Sequence, residues 1–166
     1  TCNVGASSPS DYGGYYAWGE TRTKSEYTKV NSSTYDINFG DISGDSRYDA
    51  ARANWGGTWR LPTQAEMQEL IGKCTWTWTS QGGHDGYRVT GPNGSSIFLP
   101  ATGFHDGSSL YYESPLYNAG GYGYYWSSTP YRSDARLAYY LSFNSSYHGL
   151  DWNYRSRGHS VRPVSD

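Results

Sequence analysis

The stretch Trp59–Cys74, WRLPTQAEMQELIGKC, decides which fold this chain of 166 residues adopts. Thr63 and Glu66 stand three apart, the spacing at which a threonine hydroxyl and a glutamate carboxylate together cap the start of a helix. Pro62 sits just ahead of the cap, Met67, Leu70 and Ile71 share one apolar face, and Gly72 is a natural stop. The spacing predicts a helix over residues 64–71. Upstream, in SRYDAARANWGGTW (46–59), Ala50, Ala51 and Ala53 follow Asp49, and Gly56–Gly57 end the run. That pattern predicts a shorter helix around 48–54, with Asp49 at its electropositive end. Residues 1–45 carry no helical period, and SSPSDYGGYYAWGE (7–20) is rich in turn formers.

Downstream the period switches to two. YRVTGPNGSSIFLPA (87–101) reads as a hairpin, with Val89 on one arm and Ile97 and Leu99 on the other arm of a GPNG turn. LAYYLSFNSS (137–146) reads as a further strand. Leu137, Tyr139, Leu141 and Phe143 share the face assigned to the core; Ala138, Tyr140, Ser142 and Asn144 share the face assigned to solvent. Helices followed by strands predict an α+β class, two helices packed on short antiparallel sheets with long ordered loops. Neither a repeat nor a linker interrupts the chain, so residues 1–166 are expected to form one domain.

Composition narrows the function. A net charge of −2 with 17% charged residues offers no polycationic surface for nucleic acid. No apolar run is long enough to cross a membrane. No charged segment followed by an apolar one opens the chain, so any export signal is expected to lie outside these residues. Eighteen tyrosines and seven tryptophans against one methionine imply a core built on large rings, each burying roughly 150–250 Å². The seven tryptophans (Trp18, Trp55, Trp59, Trp76, Trp78, Trp126 and Trp152) are expected to be structural, and Arg60 and Arg162 to anchor loops. Cys2 and Cys74 are too few for a zinc knuckle. A disulfide between them, worth about 4 kcal/mol in the chain-entropy model, and two free thiols both fit; the lysine-poor, loop-heavy composition favours the disulfide and an exported protein.

Three motifs taken together, GGTWRLPTQAEMQELI (56–71), YYWSSTPY (124–131) and GHSVRPV (158–164), resemble those of the C-type-lectin-fold domains of the formylglycine-generating-enzyme-like superfamily. The chain is most similar there to the major-paralogous-domain proteins of gut bacterial surfaces, over essentially its whole length from Asn3 to Pro163. Several members of that group are variable proteins of diversity-generating retroelements, in which adenine-directed mutagenesis rewrites the C-terminal region. The resemblance implies a hypervariable ligand-binding region at about 124–162 on a fixed scaffold. Lysine, glutamate, glutamine and methionine cannot arise from mutated asparagine codons, and all four are absent from Ser114 onward.

On this reading the binding residues are Tyr131, Ser133, Asp134, Arg136, Tyr140, Ser142, Ser146, Tyr147, His148, Asp151, Asn153, Tyr154, Ser156, Arg157 and His159. Tyrosine, serine, asparagine and arginine are the residue types of antibody paratopes, rigid amphipathic rings between adaptable polar groups. Leu150, Trp152, Arg155, Gly158, Val161 and Arg162 are the intervening scaffold, and the fifteen are expected on one exposed surface. The partner is then a macromolecule on a cell or phage surface, and the protein is exported, surface-bound or phage-borne.

Enzymatic and calcium-dependent readings fare worse. Formylglycine-generating enzymes work through a C-terminal cysteine pair, and no cysteine follows Cys74 here. His84, His105, His148 and His159 lack metal-protease spacing, and no G-x-S-x-G elbow occurs. Neither catalysis nor a cofactor is expected. The Glu-Pro-Asn and Trp-Asn-Asp motifs of calcium lectins are replaced by GPNG and by DWN in reversed order. Asp106, Asp134 and Asp151 are more simply turn caps than calcium ligands, so no metal is expected. Calcium-independent binding of a glycan on the aromatic side chains remains the alternative.

Overall fold

The computed structural model describes residues 1–107 and 115–166. Its first helix, α1 (Ala50–Trp55), starts where the sequence places Asp49. One Asp49 oxygen accepts from Ala51 N (2.8 Å) and Arg52 N (3.1 Å); the other accepts from Gly44 N (2.7 Å) and Leu61 N (2.8 Å). A fully buried carboxylate thus caps the helix and ties down the loops on either side. The second helix, α2 (Gln64–Lys73), carries the expected capping box: Glu66 N donates to Thr63 Oγ1 (3.2 Å) and Thr63 N donates to Glu66 Oε2 (2.8 Å). It runs past Gly72, which stays out of the left-handed conformation that ends helices, and Cys74 becomes the cap.

The strands are short and pair antiparallel. Trp59–Arg60 (β1) pairs with Val164–Ser165 (β10). Thr75–Gln81 (β2), His84–Thr90 (β3) and Ser96–Pro100 (β4) form a meander in which Val89 faces Ile97 and Tyr87 faces Leu99, so that β3 and β4 are the two arms of the hairpin expected about the GPNG turn. Phe104–His105 (β5) pairs with Leu116–Tyr117 (β6). Gly123–Pro130 (β7), Leu137–Asn144 (β8) and Tyr147–Tyr154 (β9) make a three-stranded sheet with β8 in the middle. Two helices with several small antiparallel sheets make the class α+β.

This last sheet is a partition between two cores. Tyr124, Trp126, Ala138 and Tyr140 point into one, with Val4, Tyr16, Trp18, Leu61 and Val161. Tyr125, Leu141 and Phe143 point into the other, with Met67, Tyr87, Val89 and Leu99. The assignment of one face of 137–144 to solvent is therefore corrected: Ala138 and Tyr140 are buried, whereas Leu137 and Tyr139 are only half-buried. The expected alternation fails because both faces of the strand are covered, one of them by aromatic rather than aliphatic side chains. At Gly123, opposite Phe143, a side chain would run into the Phe143 ring, which lies across the glycine.

The first 49 residues form no helix or paired strand, yet they are not loose. Tyr16 and His159 exchange two backbone hydrogen bonds (2.8 and 3.0 Å), Trp18 N donates to Arg155 O (2.9 Å), and Val4 N donates to Val161 O (3.0 Å). The indoles lock the same seam, Trp18 Nε1 to Ser127 O (2.9 Å) and Trp126 Nε1 to Tyr16 O (2.8 Å). The C-terminal segment 155–161 is thus sandwiched between the N-terminal coil and the sheet. Arg60 forks onto Glu66 (2.7 and 2.8 Å) and reaches Asp166 (2.6 Å), and Arg162 donates to Asn3 Oδ1 (3.0 Å) and Phe98 O (2.8 Å), the loop-anchoring roles expected of both.

The disulfide alternative is corrected. Cys2 and Cys74 are both free thiols. Cys2 Sγ turns to Ala6 O (3.4 Å), and Cys74 packs against the second core at the end of α2. Among the described residues no helix is long and apolar enough to cross a membrane.

Candidate functional site

The fifteen residues expected to bind fall in three places, set by the β8–β9 hairpin and the loops at its two ends. On one face of the sheet the register puts Ser142 beside Gly149, Tyr140 beside Asp151 and Ala138 beside Asn153. The hairpin tip is wet. Asn144 Oδ1 accepts from Ser146 N (2.9 Å) and Ser146 Oγ (3.1 Å), Ser146 is exposed, and Tyr147 is 52% exposed with its ring laid over Gly149. The base of the same face is dry. Tyr140 stacks on Tyr124 (5.7 Å between centroids, 25°) and meets the edge of His159 (4.8 Å).

His159 is wholly buried and stacks on Trp126 (3.9 Å, 15°). Asn153 Oδ1 is occupied by Arg157 Nη1 (2.7 Å) and Tyr154 N (2.8 Å), so Asn153 Nδ2 faces His159 Nε2 (3.3 Å). Nε2 is then the acceptor and Nδ1 carries the proton; among the described residues Nδ1 has no partner. Burial, with the Arg157 charge adding to it, holds this imidazole well below its ordinary pKa and hence neutral. A neutral ring sealed from solvent is a packing element.

The second place is the β7–β8 connection. Arg136 forks onto Asp134 (Nε 2.8 Å, Nη2 2.5 Å), and this pairing draws the Asp134 carboxyl down to about 2. Tyr131 stacks on Trp152 (5.1 Å, 23°) and meets the edge of Tyr139 (5.4 Å, 62°). Tyr131, Tyr139, Gln64, Thr129, Arg132 and Ser133 line an open cleft of about 360 Å³. The third place follows β9, where Tyr154, Ser156 and Arg157 meet Lys29 and Asp106 around a smaller cavity.

Several expectations are corrected by this geometry. Tyr140, Asn153, Ser156 and His159 are buried: the first two face the aromatic core, and the last two lie in the segment held beneath the N-terminal coil. Ser133, Arg136, Ser146, Tyr147 and Asp151 are exposed, and Tyr131, Asp134, Ser142, His148, Tyr154 and Arg157 are half-buried. The fifteen do not share one surface. His148 lies on the opposite face of the sheet, stacked on Trp76 (4.4 Å, 7°). Trp152, assigned to the scaffold, is 51% exposed, whereas Arg155, Gly158, Val161 and Arg162 are buried as that assignment requires.

Asp106 pairs with Arg157 (2.9 Å), Asp134 with Arg136, and Asp151 accepts from Trp152 N (2.8 Å). Among the described residues no three histidines, cysteines or carboxylates gather as a metal site. Sequence reasoning missed Trp152, Tyr139, Gln64 and Lys29. For Trp152 the signal was available: it stands opposite Tyr139 near the open end of the hairpin, beyond the reach of the second core. For Lys29 and Gln64 there was none, because loops far away in sequence bring them in.

The arrangement offers ring faces, hydroxyls and positioned guanidinium groups, a set suited to non-covalent binding. No curated protein and no solved structure matches the chain. One domain family does, over residues 78–164, just over half of the chain and all of the three-stranded sheet. The chain belongs to the family described as domain of unknown function DUF8237.

Proposed function

We propose that this protein is a non-enzymatic ligand-binding domain with the C-type lectin fold. It displays a diversifiable surface in the manner of diversity-generating-retroelement variable proteins, on an exported, cell-surface or phage-borne protein. The observation that carries this reading is the division of labour between Tyr131 and Arg162. Ser133, Arg136, Ser146, Tyr147 and Asp151 point to solvent, while beyond them Arg155, Val161 and Arg162 are buried and tied to the N-terminal coil and Gly158 is buried and paired with His105. Backbone held from behind leaves the outward side chains free to change, which a variable binding face requires. The ligand is a macromolecule.

The test is a displayed library in which Ser133, Arg136, Ser142, Ser146, Tyr147 and Asp151 are randomised with adenine-replaced asparagine codons. It is selected against a panel of unrelated purified proteins. Folded clones with distinct specificities are the expected result. A library that folds yet yields no binder, or one in which most clones unfold, contradicts the proposal.

One observation favours a second reading. The exposed Trp152–Tyr131 stack beside a cleft of about 360 Å³ presents aromatic faces and polar edges of the kind that hold a neutral sugar. Saturable binding of neutral oligosaccharides by the unaltered protein, abolished in Trp152→Ala, would select that reading.

A further inference from the structure

A further cavity lies behind the end of β9. It measures about 130 Å³ and is lined by Lys29, Asp106, Tyr154, Ser156 and Arg157. Arg157 is fixed in place: Nε donates to Asp106 Oδ2 (2.9 Å), Nη1 donates to Asn153 Oδ1 (2.7 Å), and the guanidinium lies 5.2 Å from the centre of the Phe104 ring. These contacts engage two of its three nitrogens. Nη2 has no protein partner among the described residues.

Lys29 Nζ sits over the Tyr154 ring (4.4 Å) and forms no ion pair among the described residues. The hydroxyls of Tyr154 and Ser156 make no hydrogen bond to a described residue either, although Ser156 is almost wholly buried. Among the described residues four donors thus line one cavity, and the one carboxylate there, Asp106, is already held by Arg157. The described lining side chains sum to a single positive charge. Donors in excess of acceptors, with one surplus positive charge, call for an anion that only accepts.

We infer that this cavity is an anchor pocket for one carboxylate side chain, glutamate or aspartate, of a protein ligand. The inference rests on the proposal that the ligand is a macromolecule, and it names the chemistry of one contact. About 130 Å³ corresponds to roughly four water volumes, room for a carboxylate and a short stem. Rigidity matters as well: an arginine held by two hydrogen bonds and a ring loses little freedom on binding, which suits an interface anchor.

The probe is N-acetyl-glutamate N′-methylamide, titrated into the ¹⁵N-labelled protein and followed through the amide signals of Tyr154, Ser156 and Arg157 and the Arg157 Nε–H signal. Saturable shifts at millimolar concentration are expected, weakened at least fivefold in Lys29→Gln, whose exposed side chain leaves the fold intact. The isosteric glutamine derivative should produce no saturable shift. Equal shifts with the glutamine derivative, no effect of Lys29→Gln, or tighter binding of glucuronate than of the glutamate probe would each overturn the inference. Because the probe needs no natural ligand and none of the six randomised positions lines the cavity, its failure is distinguishable from failure of the library selection above.

Discussion

Replacing Arg155 with methionine separates scaffold from display. Arg155 is 1% exposed, and its guanidinium lies 4.4 Å from the centre of the Trp18 ring. Nε donates to Leu137 O (3.0 Å), and Nη1 donates to Thr34 O (3.1 Å) and Ile37 O (2.7 Å). Burial pulls its pKa down to about 10, a sign that the charge is held at some cost. Methionine keeps most of the apolar stem and removes every donor; Leu137 O and Thr34 O each keep one backbone donor, from Tyr131 N (3.1 Å) and Ile37 N (3.3 Å), while Ile37 O loses its partner among the described residues.

Each lost charged hydrogen bond is worth about 1.5–3 kcal/mol, and relief from burying a charge offsets part of that loss. A net destabilisation of about 3 kcal/mol follows, or a Tm lower by about 6–12 °C at this chain length. Arg136→Ala is the control. Arg136 is exposed and, among the described residues, ion-paired only with neighbouring Asp134, so its loss should cost no more than about 0.5 kcal/mol. Thermal and guanidinium unfolding of the two variants measure both. If Arg155→Met lies within 1 kcal/mol of the parent, or Arg136→Ala costs as much as Arg155→Met, the assignment of scaffold and display is wrong.

Two pH effects accompany it. The buried His159 has a pKa far below its unfolded value near 6.5, so its contribution is complete above that value and is lost as pH falls below it. Calorimetry should show Tm declining from pH 7 to pH 5, with a shallower decline in His159→Phe; an unchanged slope refutes the role. Burial raises the phenol pKa of Tyr15, Tyr125 and Tyr140, so their contribution is complete below the unfolded value near 10 and is lost as pH rises above it. Ultraviolet titration should show exposed tyrosines ionising reversibly first and the buried ones only together with unfolding; a single smooth titration of all tyrosines contradicts the buried placement.

What the sequence made legible was local. The capping box at Thr63 and Glu66, Asp49 at the start of the first helix and the hairpin about the GPNG turn depend on residues close to one another in sequence, and the structure reproduces all three. What escaped was set by distant segments. Tyr140 looked outward because its strand alternates cleanly, and only the packing of Tyr16, Trp18 and Val161 against that face makes it interior. His159 and Ser156 read as exposed rim residues because nothing nearby shows that an N-terminal coil covers them. Trp152 read as core because tryptophan usually is, yet it stands where the second core has already ended. Lys29 and Gln64 carry no pattern at all, and long-range chain closure alone brings them to the cavities they line.

The central claim is that the C-terminal third separates outward side chains that are free to change from inward ones that are not. A protease-resistance scan of all substitutions at the fifteen residues from Tyr131 to His159 tests it most directly. Substitutions at Ser133, Arg136, Ser146, Tyr147 and Asp151 should stay within about 0.5 kcal/mol of the parent. Those at Tyr140, Asn153, Ser156 and His159 should commonly cost about 2 kcal/mol or more, as core truncations and orphaned buried polar groups do. The account is contradicted if the two groups show the same spread, or if the exposed five are the less tolerant.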